Sequence, residues 1–113
     1  KFRECFRLFP EIQFGAHFHN TRGLAPANAL RAFDTGVRSF DAAAGGLGGC
    51  PYAPGSSGNV ATEDLVFMFE SMGIKTGMDL KKLLNVCAWM QQILPQAKLS
   101  GSLIAAGLPD RIK

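Results

Sequence analysis

Two strand-like segments, residues 12–19 and 37–44, are separated by a single helical pattern over residues 24–35, and this spacing limits the fold more than any other feature of the sequence. Side chains alternate across a strand, so Phe14, Ala16 and Phe18 fall on one face and Gly15, His17 and His19 on the other. In the helical stretch Ala27, Leu30, Phe33 and Val37 recur at intervals of three and four, and Gly36 is placed to end it. Two strands joined by a helix of about a dozen residues form a βαβ unit, in which the strands run parallel.

Residues 45–58 follow with six glycines, two prolines and one cysteine. Such a stretch cannot build a core of its own, and loops of this length are functional or disordered. Thr62 then reads as a helix N-cap with Glu63 and Asp64 in the first turn, where the helix dipole favours acids. The apolar stripe of that helix is Leu65, Met68, Phe69 and Met72, and Gly73 closes it. A further helix starts at Asp79, carries Leu80, Leu83, Leu84, Cys87, Met90 and Leu94 on one face, and stops at Pro95. Residues 96–113 read as a mostly irregular tail. The class is α/β with too few strands. Two or three parallel strands leave both sheet edges open and the apolar faces half covered. A closed (β/α)₈ barrel takes about 250 residues, so 113 residues fit a part of one larger domain.

Composition narrows the partners. Hydrophobic residues make up 47% and charged residues 19%, enough to bury a core. The net charge of +3 comes from basic residues spread without a long run, which argues against nucleic acid. No stretch of about 18 apolar residues is present to span a membrane, and residues 1–5 lack the apolar run of a signal peptide. Three widely spaced cysteines, Cys5, Cys50 and Cys87, do not make a disulfide framework. A reducing compartment fits, the cytoplasm by default and the mitochondrial matrix as the alternative.

Three places could carry chemistry. His17 and His19 sit two apart on a strand, so their imidazoles point the same way, about 6.6 Å apart along the chain, and can meet on one metal ion. The pair also fits two hydrogen-bonded polar residues at a strand end. Asn20 and Thr21 mark the C-terminal end of that strand, where barrel and open-sheet active sites are built. Cys50, inside the glycine-rich loop, reads as accessible: a nucleophile, an acid or a free surface thiol. Cys87 lies on an apolar helix stripe and reads as core. Asn59, just ahead of a helix, is by itself a turn residue.

Taken together, His17-Phe18-His19-Asn20-Thr21-Arg22-Gly23, Gly45-Gly46-Leu47-Gly48-Gly49-Cys50-Pro51-Tyr52-Ala53-Pro54-Gly55 and Gly58-Asn59-Val60-Ala61-Thr62-Glu63-Asp64 resemble the hydroxymethylglutaryl-CoA lyase family. The resemblance runs from about Phe14 to Leu84. The histidine pair with a later asparagine is shared with related metal-dependent barrel enzymes, whereas the cysteine loop is more specific to the lyases.

The resemblance implies that residues 1–113 are the C-terminal portion of a (β/α)₈ TIM barrel, from about the sixth strand onward. It implies a divalent cation, Mg²⁺ or Mn²⁺, held by His17, His19 and Asn59, with Cys50 as the catalytic acid. The activity implied is metal-assisted retro-Claisen cleavage of 3-hydroxy-3-methylglutaryl-CoA, or a close 3-hydroxyacyl-CoA, to acetyl-CoA and a keto acid. The family's remaining metal ligand, an aspartate, and a catalytic arginine belong to a first barrel strand that this sequence does not contain. The missing N-terminal half-barrel is therefore an expected partner, with a homo-oligomer another. Many of these lyases read Asp-Thr-Tyr-Gly where this chain has Asn20-Thr21-Arg22-Gly23, which admits a related substrate such as citramalyl-CoA. Arg22 and Lys75 are positive charges near the predicted loops that an acyl-CoA could meet. Two other readings stay open, a related acyl-CoA condensing synthase or aldolase and an inactive truncated fragment.

Overall fold

The computed structural model describes residues 1–49 and 58–110. The chain opens with helix α1 (Phe2–Leu8) and then forms the expected βαβ unit: β1 (Gly15–His17), α2 (Ala25–Asp34) and β2 (Ser39–Asp41). The strands pair in parallel, with Gly15 opposite Ser39, Ala16 opposite Phe40 and His17 opposite Asp41. Both strands are shorter than the alternation suggests. Beyond them, among the described residues, isolated bridges continue the pairing, His19 with Asn59 and Ala43 with Ala61.

The faces of β1 divide as alternation requires. Ala16 is buried, while Gly15 and His17 are exposed. Behind the sheet α2 presents Ala25, Ala29 and Ala32 as its buried residues, not the expected Ala27, Leu30 and Phe33 stripe. Small side chains let the helix lie close to the strands, and the larger Leu30 and Phe33 take the half-buried flanks. Pro26 in the first turn needs no amide donor there. The Asn20 side chain caps the same turn, its Oδ1 accepting from the Ala25 amide at 3.1 Å.

Helix α3 (Thr62–Ser71) begins one residue earlier than expected. Ala61, not Thr62, is the N-cap, because the Thr62 amide donates to the Ala43 carbonyl at 2.9 Å and ties the helix start to the end of β2. Its buried face is Glu63, Leu65, Val66 and Phe69, with Met72 exposed. At its far end the Glu70 carboxyl accepts from the Thr76 amide at 2.6 Å and the Thr76 hydroxyl at 2.7 Å. These hydrogen bonds hold the carboxyl below its usual range. Helix α4 (Leu80–Ile93) starts where expected, with the Asp79 carboxyl accepting from the Lys82 amide at 3.0 Å. Leu80, Leu83 and Cys87 are its buried residues. A short helix, α5 (Ser102–Ala106), lies in the tail, and the Asp64 carboxyl receives the Ser102 and Leu103 amides at its start.

The sequence reading leaves α1 out. Phe2 and Phe6, one turn apart, pack against the cluster of Ala16, Ala32 and Val37, and Phe6 meets Phe14 edge-on at 5.5 Å. Among the described residues no helix is long and apolar enough to cross a membrane.

Candidate metal centre

Everything that positions the site follows from the C-terminal ends of β1 and β2. The segment after the glycine-rich loop returns across both ends: the Asn20 amide donates to the Gly58 carbonyl at 3.0 Å and the Val60 amide to the Phe18 carbonyl at 3.1 Å. These two bonds flank His19 and Asn59, making them a directly opposed antiparallel pair of the close, non-hydrogen-bonded kind. Opposed residues project to the same face. His17, two residues before His19, shares that face, and the two imidazole rings lie 5.3 Å apart between centroids at 64°. The structure thus brings His17, His19 and Asn59 together. Cys50 lies outside the described residues.

The amide of Asn59 has a fixed sense. Its Nδ2 donates to the Leu47 carbonyl at 2.9 Å, which leaves Oδ1 as the end available to a ligand. Leu47 is carried on a 3₁₀ turn, Ala44–Gly46, that ends the β2 strand segment. Gly48 runs at φ +107°, and a Cβ there would come within 2.9 Å of Asn59 Nδ2. Gly58 runs at φ +87°, and a Cβ there would come within 2.8 Å of the Gly46 carbonyl. One glycine lets the backbone close on the Asn59 side chain and the other on the Gly46 carbonyl, which is part of why glycine is dense here.

Two imidazoles and one amide oxygen on one face suit a divalent cation. Imidazole is a ligand for first-row metals, and amide oxygen suits Mg²⁺ and Mn²⁺. Among the described residues no group of three or more His, Cys, Asp or Glu side chains is disposed to hold a metal ion. The three donors brought together here, two imidazoles and an amide, include no carboxylate.

Asp41 was not singled out from sequence. It stands in register with His17 on the same open face, a placement that only the βαβ pairing reveals. Lys75 is not brought to the site. It lines a cavity with Arg38, Phe69 and Thr76, at the edge from which the strands start. Arg22 is exposed in the turn that follows His19.

Comparisons with known proteins place the chain in a family. The model of the HMGL-like family matches residues 1–89, and the chain belongs to this family, that of the hydroxymethylglutaryl-CoA lyases. It is 57% identical over 84 residues to a hydroxymethylglutaryl-CoA lyase of Bacillus subtilis, covering 74% of this chain and 28% of the relative. To the (R)-citramalyl-CoA lyase of Chloroflexus aurantiacus it is 48% identical over 92 residues, or 81% of this chain and 29% of the relative. Among solved structures, an HMG-CoA lyase of Acinetobacter baumannii in complex with coenzyme A and 3-methylmalate superposes with a TM-score of 0.88 at 44% identity, covering 99% of this chain and 36% of that one. The chain thus spans under a third of the length of these curated relatives. Its fold is an α/β fragment with parallel strands that matches part of the lyase TIM barrel.

Proposed function

We propose that residues 1–113 form the C-terminal part of the barrel, from about the sixth strand, of a lyase that cleaves 3-hydroxy-3-methylglutaryl-CoA to acetyl-CoA and a keto acid. The observation that carries the reading is the convergence of His17, His19 and Asn59 on one open face at the C-terminal end of the strands. That edge is where barrel enzymes place their active sites. These three residues would hold Mg²⁺ or Mn²⁺, and the rest of the barrel would add a carboxylate, since a hard cation binds weakly to neutral donors alone. The cation, when bound, supplies Lewis acidity toward the substrate's C3 hydroxyl.

With the proton of that hydroxyl passed to a base supplied by the rest of the barrel, the C2–C3 bond breaks. Its electron pair passes to the thioester as an enolate, and C3 becomes the carbonyl of the keto acid. Cys50 gives its thiol proton to C2 and so completes acetyl-CoA, a role open to a group whose ordinary pKa is about 8.5. The Asn20-Thr21-Arg22-Gly23 turn leaves the exact acyl-CoA open, and the 48% identity to a citramalyl-CoA lyase supports citramalyl-CoA as a second substrate.

The test uses the full-length polypeptide. Cys50→Ser is expected to lower acetyl-CoA release about 100-fold or more while Mn²⁺ binding stays intact. A condensing synthase would retain its turnover in this variant. His17→Ala is expected to abolish both Mn²⁺ binding and turnover, and unchanged Mn²⁺ affinity would remove the metal-centre reading.

A further inference from the structure

We propose that Glu63 is a positioning residue for Asn59, acting through the turn at Gly45–Leu47, an inference that rests on the metal-centre reading above and deepens it.

Glu63 is the one charged or polar residue fully buried among the described residues, at 0% exposure. Burying a carboxyl is costly, and an aliphatic side chain would fill the same space without that cost. What an aliphatic side chain cannot do is accept a hydrogen bond. Glu63 Oε2 accepts from the Gly45 amide at 3.0 Å. Its Oε1 takes no hydrogen bond by geometry among the described residues and is packed against Gly101, where any Cβ would collide with it. The Cys87 thiol also lies beside the carboxyl. One carboxylate oxygen is thus held on a single backbone donor, with Gly101 and the Cys87 thiol against the rest of the group.

That donor is the root of the turn. Gly45 is itself buried, and its carbonyl accepts from the Ser100 amide at 2.7 Å. The turn continues with Gly46 donating to the Ala43 carbonyl at 2.9 Å and Leu47 to the Ala44 carbonyl at 3.2 Å. It ends by presenting the Leu47 carbonyl to Asn59 Nδ2 at 2.9 Å. A reversed Asn59 amide would set two acceptors against each other at that distance and turn a nitrogen, which cannot bind a hard cation, toward the site. Removing the acceptor at Glu63 leaves the buried Gly45 amide only the weak acceptor sulfur of Cys87, so the turn shifts to regain water or a better partner. The Leu47 carbonyl then no longer selects the sense of Asn59.

The experiment is a double-mutant cycle on Mn²⁺ affinity, read by electron paramagnetic resonance of free Mn²⁺ in the full-length polypeptide. Glu63→Met fills the space with only a weak thioether acceptor and is expected to weaken Mn²⁺ about tenfold, as outer-shell changes do. Glu63→Gln keeps an acceptor and is expected to stay within about threefold of the parent by the same measure. In the Asn59→Ala background Glu63→Met is expected to add less than about twofold, because coupled groups are non-additive. Equal weakening in both backgrounds, no weakening at all, or Glu63→Gln as harmful as Glu63→Met would each overturn the proposal. If Glu63→Met does not fold, Glu63→Asp, which draws the carboxyl back by one methylene, takes its place with the same expectations. An Asn59→Ala variant that binds Mn²⁺ like the parent would instead remove the metal-centre reading, and the relay with it.

Discussion

Cys87 shows how burial decides what one residue can do. Its side chain is 1% exposed on the inner face of α4. Burial, and next the charge of Glu63, push its thiol above the ordinary thiol range. The folded state therefore disfavours the thiolate. The stability that follows is fully present below the ordinary value and is lost as pH rises through the raised one. Iodoacetamide at pH 8 is expected to label half-buried Cys5 in the folded protein and to reach Cys87 only after unfolding. The urea midpoint is expected to fall above pH 9, and less so in Cys87→Ala. Labelling of native Cys87 at the rate of Cys5 would contradict its placement. The core assignment of Cys87 was legible because it needed only the helical period. The role of Glu63 was not, because an acid in the first turn of a helix is ordinary, and its partner Gly45 is 18 residues away.

At the scale of elements, local signals served where a helix end depends on its own residues. Asp79 caps α4 through the Lys82 amide, as an acid just before an apolar-periodic run implies. Asp79→Ala is expected to destabilise the fold by about 1 kcal/mol, a fall of about 4 °C in Tm for a domain of this size; an unchanged Tm would show that the exposed cap carries no weight. Where an end is fixed by tertiary pairing, the sequence misleads. Thr62 is a good capping residue, yet the bridge between Ala43 and Ala61 moves the N-cap to Ala61. The buried stripe of α2 also shifts to alanines, because proximity to the sheet selected size over hydrophobicity. Helix α1 was missed although its marks are plain: Phe2 and Phe6 lie one turn apart, and Glu4 pairs with Arg7 at 2.6 Å.

The whole molecule is a slab, 46 × 39 × 21 Å, with a radius of gyration of 15.0 Å; a compact domain of this length would have about 13 Å. The thinness comes from a sheet covered on one side. Helices α2 and α3 back it, while Gly15, His17, Ser39 and Asp41 look out from the other face. Parallel strands are ordinarily buried on both faces, and on the reading proposed above the bare face would be the interior of a barrel completed by strands outside residues 1–113. Sequence alone showed that the strands are too few. The register that brings His17 beside Asp41, and Asn59 opposite His19, depended on pairing between distant segments, which no local pattern encodes. The bare face also sets the last prediction. Residues 1–113 alone, supplied with Mn²⁺ and 3-hydroxy-3-methylglutaryl-CoA, are expected to release no acetyl-CoA, because on the proposed reading the anionic ligand and most of the walls that exclude water lie outside these residues. Restoring the remaining strands, in one polypeptide or as a second chain, is expected to restore turnover. Steady acetyl-CoA release by residues 1–113 alone would mean that His17, His19 and Asn59 hold the cation without a carboxylate, and the barrel account of the open face would fall with it.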